Sequence, residues 1–501
     1  MVIVTAKEMY DIDSYAMETI GYDGKLLMEN AGRSVSEKMK VIISKHDQIC
    51  ILAGSGNNGG DGYVIARTLL NDGYNAYVIQ IVPDEKIKGD VRYHKDVFVN
   101  CGGSTITTES LEEVSDYVQR ASVVVDAMVG IGMKGMLREP ISSIVSLVNQ
   151  KPSKVIAVDI PTGLPADEGI TDFHAIKADY TYIIEVAKMS VFVQQTNPFY
   201  GSWETVSIGI PSHSSPFNTN KNTWEEDDFR DSLPTRNQFS HKGKHGKGLA
   251  VGGSKEMPGS ITMTAKAALR AGAGVLTIGT PEEVISSIAS ACLEATFLKL
   301  PKENAALSLD KYDAIVAGMG IGREENANRI ISDIIHNASC PVIIDADGLF
   351  HLKKDMESLK DRSAPTILTP HPGEMAMLMD CTIEEIVHAP FAHAKQFAES
   401  YGVYLLLKGK YSIITTPDGR QTVNRTGNPG LAKGGSGDVL SGIILSMVMQ
   451  QQSIEEGLCN ACYLHGKAAD VCVDQGHSYY DLLATDIINS FPFVFVHDRL
   501  S

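Results

Sequence analysis

Short apolar runs recur along this chain, and the stretches between them carry helical spacing. In the first half the runs are QICILAG (48–54), YNAYVIQIV (74–82), SVVVDAMVG (122–130), KVIAVDI (154–160) and ADYTYIIEV (178–186). A run that is apolar at every position, rather than every second one, fits a strand buried on both faces of a parallel sheet. Parallel strands need long crossovers, which helices supply. The pattern restarts with GKGLAVGG (246–253), AGVLTIGT (273–280), YDAIVAGMG (312–320), CPVIIDADG (340–348), APTILTPH (364–371) and VYLLLKG (403–409). The chain therefore reads as two tandem α/β domains, each three-layer αβα, the first Rossmann-like. Residues 211–248 between them are rich in Ser, Asn, Pro and charge and poor in aliphatics. The boundary is expected near 215–235, giving domains over 1–215 and 230–501.

The 501 residues suffice for two large cores, and 43% hydrophobic with 21% charged residues is an ordinary globular balance. A formal net charge of −17 argues against nucleic-acid binding, because a surface that tracks phosphates needs a basic excess. No apolar run approaches the roughly 20 residues of a spanning helix, and the opening MVIVTAKEMYDIDSYAME lacks the features of a signal peptide. No membrane partner is expected. Cys459 and Cys462 form a C-x-x-C inside EEGLCNACYLHGKAADVC, which reads as helix, with no second pair at zinc-ribbon spacing. Reduced cysteines fit a cytoplasmic protein.

ILAGSGNNGGDGYVIARTLL (51–70) reads as a strand, a polar glycine turn and a helix, placed where α/β folds bind ligands. Its spacing is not G-x-G-x-x-G and its helix entry is acidic, so a plain nucleotide fingerprint does not fit. Asn57 and Asn58 bring amide oxygens, which suit a hard cation. The plainer alternative is a strand–helix turn with Asp61 as its N-cap. Two further strand ends carry matching chemistry: Asp126 in VVVDAMVGIGMKG (123–135), and Asp159 in VIAVDIPTGL (155–164), followed by Pro161 and Thr162. Polar groups on three successive strand tips make a site at one sheet edge.

GNNGGDG, VDAMVGIG and VDIPTG, with the opening TAKEMYDIDSYAME and LLMENAG, resemble the YjeF N-terminal domain, the NAD(P)H-hydrate epimerase family, over about 1–215. The resemblance implies that Asn57, Asn58, Gly59, Gly60 and Asp61 line the hydrate site. It implies a potassium ion held by Asn58, Asp126 and Thr162, and a catalytic Asp159 facing the substrate. The loop Gly130, Ile131, Gly132, Met133, Lys134, Gly135 and Met136 would also face it. The family usually reads GTG after this strand; Ile131 replaces the hydroxyl.

In the second half, GNPGLAKGGSGDVLSG (427–442) has six glycines in sixteen residues and one acid, Asp438. A glycine loop opening onto a helix forms a nest of N–H groups suited to an anion. A carboxylate there is unfavourable unless it works, and the useful work is as general base on a hydroxyl attacking a phosphoryl group. A simple N-cap is the alternative. Lys408 and Lys410 in KGKYSIITTPDG (408–419) stand at a strand end and suit nucleotide phosphates, although a cationic hairpin tip would look the same. His371 ends a strand in ILTPHPGEMAML (367–378), and AGMGIG (317–322) and DADGLF (345–350) mark two further strand ends.

HKG, LAVGGS, MGIG, DADGL, TPHPGE and NRTGNPGLAKGGSGDVLSG together resemble the NAD(P)H-hydrate dehydratase family, the YjeF C-terminal domain, on a ribokinase-like fold over about 236–495. The resemblance implies substrate contacts from Ser260, Gly322, His371 and Asp438, with Asp438 the catalytic acid–base. It places nucleotide contacts at Lys408, Gly409, Lys410, Tyr411, Ser412 and Gly437. Sugar kinases of this fold commonly carry N-x-x-E where this chain has H-P-G-E, which points away from a sugar kinase. Phosphorylation serves dehydration because hydroxide leaves poorly, water having a pKa of about 15.7. Phosphate, with a second pKa of about 6, leaves readily. The implied substrates are NADHX and NADPHX, with ADP or ATP and its Mg2+ as co-substrate, ADP being favoured, in a homo-oligomer. The competing reading is a small-alcohol kinase fused to a non-catalytic scaffold.

Overall fold

The computed structural model describes residues 1–133, 135–151, 153–211, 219–302, 307–450 and 453–497. It divides into two compact units, Met1–Thr219 and Asn220–Ser501.

The first unit holds a seven-stranded sheet, parallel throughout. Its order is Thr105–Thr107, Asn75–Gln80, Gln48–Ala53, Val123–Ala127, Lys154–Val158, Tyr180–Ile184, Ser202–Val206. The chain winds outward from Gln48–Ala53, then returns to place Val123–Ala127 on its other flank. The tips of those two strands therefore flank a crevice where the winding reverses, the site such sheets offer a ligand. Strand residues alternate between two cores, as the period of two demands. Ile49, Ile51 and Ala53 pack with the helices Gly24–Met39, Asn57–Asn71 and Gly89–Asn100. Cys50 and Leu52 pack with Leu111–Arg120 and Ile141–Asn149.

A separate pair of strands adds the N-terminus to this frame. Ile3–Val4 lies parallel to Ala187–Lys188, with Val4 opposite Lys188. The helix Ala6–Tyr15 starts immediately after, on a Thr5/Glu8 capping box: the Glu8 N–H donates to Thr5 Oγ1 at 3.2 Å and the Thr5 N–H to Glu8 Oε2 at 2.7 Å.

The second unit carries a ten-stranded sheet, ordered Lys221–Trp224, Gln421–Asn424, Ser412–Thr415, Tyr404–Leu407, Thr366–Leu368, Val342–Ile344, Ala314–Ala317, Lys247–Val251, Val275–Thr280, Thr296–Lys299. Only Ser412–Thr415 runs antiparallel to its neighbours. Here the winding reverses between Lys247–Val251 and Ala314–Ala317. One face packs on the helices Pro258–Arg270, Ser436–Gln450 and Ile454–Asp474, the other on Glu325–Asn337 and Pro390–Tyr401.

The division at Thr219 falls inside the window of 215–235, and this unit takes in the residues from Asn220 onward. The polar segment Lys221–Trp224 is an edge strand in register with Gln421–Asn424, and Trp224 Nε1 donates to Asn460 Oδ1 at 2.9 Å. An edge strand buries one neighbour and little else, so it needs no run of aliphatics and reads as linker. Cys459 and Cys462 lie buried in the helix Ile454–Asp474, where burial pushes the Cys459 thiol well above its ordinary range and Cys462 up to about 12. They are inert core residues. Among the described residues no helix is long and apolar enough to cross a membrane.

Candidate active sites

The helix Asn57–Asn71 begins earlier than a glycine turn would allow, with Gly56 as its N-cap residue. Gly59, Gly60 and Asp61 are therefore helical, and Asp61 is not the cap. The glycines serve close packing. A Cβ on Gly59 would sit 2.1 Å from the Gly54 carbonyl oxygen, one on Gly60 2.3 Å from Met28 Sδ, and one on Gly62 2.8 Å from Ala127 Cβ. The helix entry is thus pressed against the strand tips.

Beside that entry lies a cavity of about 580 Å³, within the usual range of small-molecule sites. Asn57, Asn58, Asp61, Gly130, Ile131 and Gly132 contribute to its wall, as does Asp159. Under the wall, Asp126 is fully buried at its strand end. Thr162 Oγ1 donates to Asp126 Oδ1 at 2.6 Å, and the Thr162 N–H to Oδ2 at 2.7 Å. Burial lifts the Asp126 carboxyl to about 6, against these bonds. In the wall itself, both amide atoms of Asn58 are buried without a hydrogen-bond partner among the described residues. Two buried polar atoms without partners, at a cavity wall, ask for a ligand to satisfy them.

Asp159 adopts a left-handed backbone, φ 64°, which few residues other than Gly, Asn and Asp tolerate. That turn brings its Oδ1 to the Ile184 N–H at 3.0 Å and to Lys188 Nζ. Lys188 is 1% exposed and donates also to the Ile184 carbonyl at 2.9 Å. Among the described residues Asp159 Oδ2 has no protein donor. Asp13 and Asp61 share the cavity. Burial, with Asp159 and Asp13 nearby, pushes Asp61 well above the usual carboxylate range. Burial raises Asp13 to about 6, Lys188 opposing and Asp159 and Glu185 adding to the effect.

In the second unit, Asp438 lies in the first turn of Ser436–Gln450, inside the helix. This helix crosses Pro258–Arg270 closely because a Cβ on Gly442 would meet the Thr264 carbonyl at 2.1 Å. The close crossing brings Ser260 beside the Asp438 carboxyl, while Thr264 Oγ1 donates to the Asp438 carbonyl at 3.0 Å. Burial raises the Asp438 carboxyl to about 6; Ser260 opposes and Asp345 adds to the rise. The glycine loop before it is anchored by Asp470, which accepts from the Gly427 N–H at 3.0 Å and from Asn428 Nδ2 at 2.9 Å.

Lys408 Nζ lies 2.7 Å from Asp345 Oδ1 and 3.9 Å from Glu374 Oε2, and a Cβ on Gly437 would stand 3.8 Å from it. Asp345 also accepts from Ser441 Oγ at 2.5 Å and is almost wholly buried. Burial opposes both charges, yet the contact wins: Asp345 is held below and Lys408 above its ordinary range. Both stay ionised, so a fixed cation faces the loop. Asp345→Asn removes the counter-charge and is expected to cost on the order of 3 kcal/mol, read as a lower denaturation midpoint of the full chain.

Two family models match: NAD(P)H-hydrate dehydratase over residues 249–492, and YjeF-related protein N-terminus over 24–190. The bifunctional NAD(P)H-hydrate repair enzyme Nnr of Moorella thermoacetica is 35% identical, over 99% of this chain and 96% of its own length. The chain belongs to the bifunctional NAD(P)H-hydrate repair enzyme family. The Escherichia coli member is 30% identical over 95% of this chain and 90% of its own length. Among solved structures, the ADP/ATP-dependent NAD(P)H-hydrate dehydratase of Bacillus subtilis, co-crystallised with ATP and Mg2+, matches with TM-score 0.51 and 35% identity. It covers 56% of this chain and 99% of its own.

Other residues of the family pattern are placed as follows. Met133, Gly135 and Met136 do not line the cavity, and Met136 is exposed; Lys134 lies outside the described residues. Ile131 packs on the apolar cluster of Val4, Met9 and Ile12, so its side chain joins the core in place of a hydroxyl. Gly322, at φ 83°, is held by Asp347 Oδ2 at its N–H (3.2 Å) and by His351 Nε2 at its carbonyl (2.9 Å). His371 caps Pro372–Met379, its Nδ1 accepting from the Gly373 and Glu374 N–H groups at 3.0 and 3.2 Å, which leaves the proton on Nε2. Gly409 and Lys410 occupy an exposed hairpin tip, with the Lys410 ammonium 5.1 Å from the Tyr411 ring centroid; Ser412 begins the next strand.

Sequence reasoning missed Asp13, Lys188, Asp345 and His465. Met9, Tyr10, Asp13 and Met17 follow helical spacing along one wall of the cavity, a signal visible in retrospect. His465 sits in the buried helix Ile454–Asp474 with Nε2 3.2 Å from Ser436 Oγ, and burial pushes it down to about 4. It is a neutral hydrogen-bond partner at the mouth of the loop.

Proposed function

We propose that this chain repairs hydrated nicotinamide cofactors in two coupled activities. The first unit interconverts R and S NAD(P)HX. The second dehydrates the S form to NAD(P)H at the expense of ADP or ATP. The observation that carries the reading is Asp438, in the first turn of the helix that follows the glycine loop, with the Lys408 cation beside Gly437.

Asp438 takes the proton of the C6 hydroxyl as that oxygen attacks the terminal phosphoryl group. Lys408 and the 434–437 N–H groups hold the phosphates, and Mg2+ comes with the nucleotide. The C6–O bond then breaks with its electron pair on phosphate, the ring nitrogen supplies electrons, and loss of a C5 proton restores the dihydropyridine. A base must be ionised. Because Asp438 is raised to about 6, dehydration is expected to fall about tenfold per pH unit below that value and to level off above it, as a pH profile of kcat/KM on S-NADHX would record.

In the first unit, Asn58 Oδ1, Asp126 and Thr162 Oγ1 form an all-oxygen donor set, and the partnerless Asn58 amide fits a bound hard cation. Those residues would hold potassium, whose charge would anchor an anionic or hydroxyl group of the substrate. Asp159 faces the hydrate.

The test is reduced-nicotinamide absorbance on mixed R/S NADHX, with ADP and ATP in parallel and K+ exchanged for Li+. Complete conversion requires both activities. Conversion stopping at the S fraction removes the epimerase reading, and a slow second phase only in Li+ supports the cation site. Untouched hydrate with phosphorylation of a small alcohol would mean a kinase.

A further inference from the structure

The wall of the first-unit cavity contributed by the helix Ala6–Tyr15 and the turn after it carries one ionisable side chain among apolar ones and Tyr10. Met9, Tyr10, Asp13 and Met17 all line the cavity. This helix lies outside the residues matched by the YjeF-related family model, which begins at 24. Its position is nonetheless fixed to the site. Val4 pairs with Lys188, and Thr5 caps the helix directly after that pairing. The Ala6 N–H also donates to Asp167 Oδ1 at 2.9 Å. Asp13 thus stands on an element pinned to the same short strand that carries Lys188, the partner of Asp159.

Four carboxylates, Asp13, Asp61, Asp159 and, on the helix Gly89–Asn100, Asp90, line the cavity with Lys188. Asp159 commits Oδ1 to Lys188 and the Ile184 N–H. Asp61 is 6% exposed on the pressed helix entry. Asp13 is half-buried and makes no hydrogen bond or ion pair among the described residues. We infer that Asp13 is the general acid of epimerisation, delivering a proton to the C6 hydroxyl of the hydrate from the N-terminal helix, with Asp159 as its basic counterpart. The inference rests on the epimerase reading above.

The step balances without a co-reactant. The Asp13 proton passes to the C6 oxygen, and the C6–O bond breaks with its electron pair leaving on water. The ring nitrogen's lone pair closes an N1–C6 double bond, giving an iminium. Water returns to the opposite face; its oxygen forms the new C6–O bond and its proton goes to Asp159 through the free Oδ2. One proton leaves Asp13 and one reaches Asp159, and exchange with solvent restores the starting state. The groups that act electrostatically on Asp13 are Lys188, which favours its anion, and Asp159 and Glu185, which oppose it, with Asp61 adding negative charge when ionised. Burial and these acids together keep Asp13 protonated up to about pH 6, so an acid role predicts a rate that falls as pH rises through that value.

The experiment follows enzyme-dependent R-to-S conversion by chiral separation, from pH 5 to 9, in the full chain with Asp13→Asn, Asp13→Glu and Asp61→Asn. Dehydration of S-NADHX by the same preparations is the control for folding. Asp13→Asn is expected to lower epimerisation kcat by about 10²-fold or more and to abolish the fall above pH 6, leaving dehydration unchanged. Asp13→Glu is expected to recover part of the rate with the limb restored. A wild-type-like rate and pH profile in Asp13→Asn overturns the inference, as does loss of the limb in Asp61→Asn alone. A lowered rate whose pH profile is unchanged makes Asp13 a packing residue and overturns it too. Absence of epimerisation in the wild type would overturn instead the function on which the inference rests.

Discussion

Asp438→Ala is expected to cut dehydration by about 10²- to 10⁴-fold and to leave epimerisation intact. The side chain is the one acid in the glycine loop proposed to receive the phosphates, and loss of a positioned base costs about 10²- to 10⁴-fold in rate. The substitution is benign to the fold. Asp438 is carried by an otherwise apolar helix, and its carboxyl is held against an adverse burial term, so removing it relieves desolvation rather than opening a charge. Nucleotide affinity is expected to hold or tighten, since a negative group departs from beside a polyanion. Single-turnover measurement with S-NADHX and ATP separates the two effects. Retained dehydration in the variant would break the case for base catalysis, and loss of both activities in a folded protein would contradict two independent sites.

Asp159→Ala is expected to produce the converse, with epimerisation lost and dehydration kept. Here the structural cost is real. Lys188 is 1% exposed and its ammonium leans on Asp159, so truncation strands a buried cation at about 3–5 kcal/mol. Asp159→Asn should therefore be measured beside it, because the amide keeps the oxygen facing Lys188 while discarding the charge. Dehydration by the same samples reports whether the chain has folded. An unchanged epimerisation rate in either folded variant would rule out a catalytic Asp159.

The interior of both sheets was legible because parallel strands buried on two faces leave apolar runs, as in residues 49–53 and Val342–Ile344. The edges were not. Lys221–Trp224, the edge strand, carries amide and hydroxyl groups in place of a run of aliphatics and reads as linker. The same split holds in the sites. Asp126, Asp159 and Asp438 announce themselves as acids beside glycine turns at strand or helix ends. Lys188 does not, because its partner lies 29 positions away and is brought to it by a left-handed turn at Asp159. Asp345 was marked as a strand end, but its role in pinning Lys408 depends on a separation of 63 positions. The glycines of 54–62 misled in a different way. Their clustering suggested a polar turn ahead of the helix, whereas they thin the contact between that helix and its neighbours.

The register of Val4 with Lys188 has a consequence for the newborn protein. On the ribosome, the first helix is made long before the segment that docks it, so it must wait through the synthesis of the strands between. The wall that Ala6–Tyr15 gives the cavity is thus completed only once the strand Ala187–Lys188 is in place to receive Ile3–Val4.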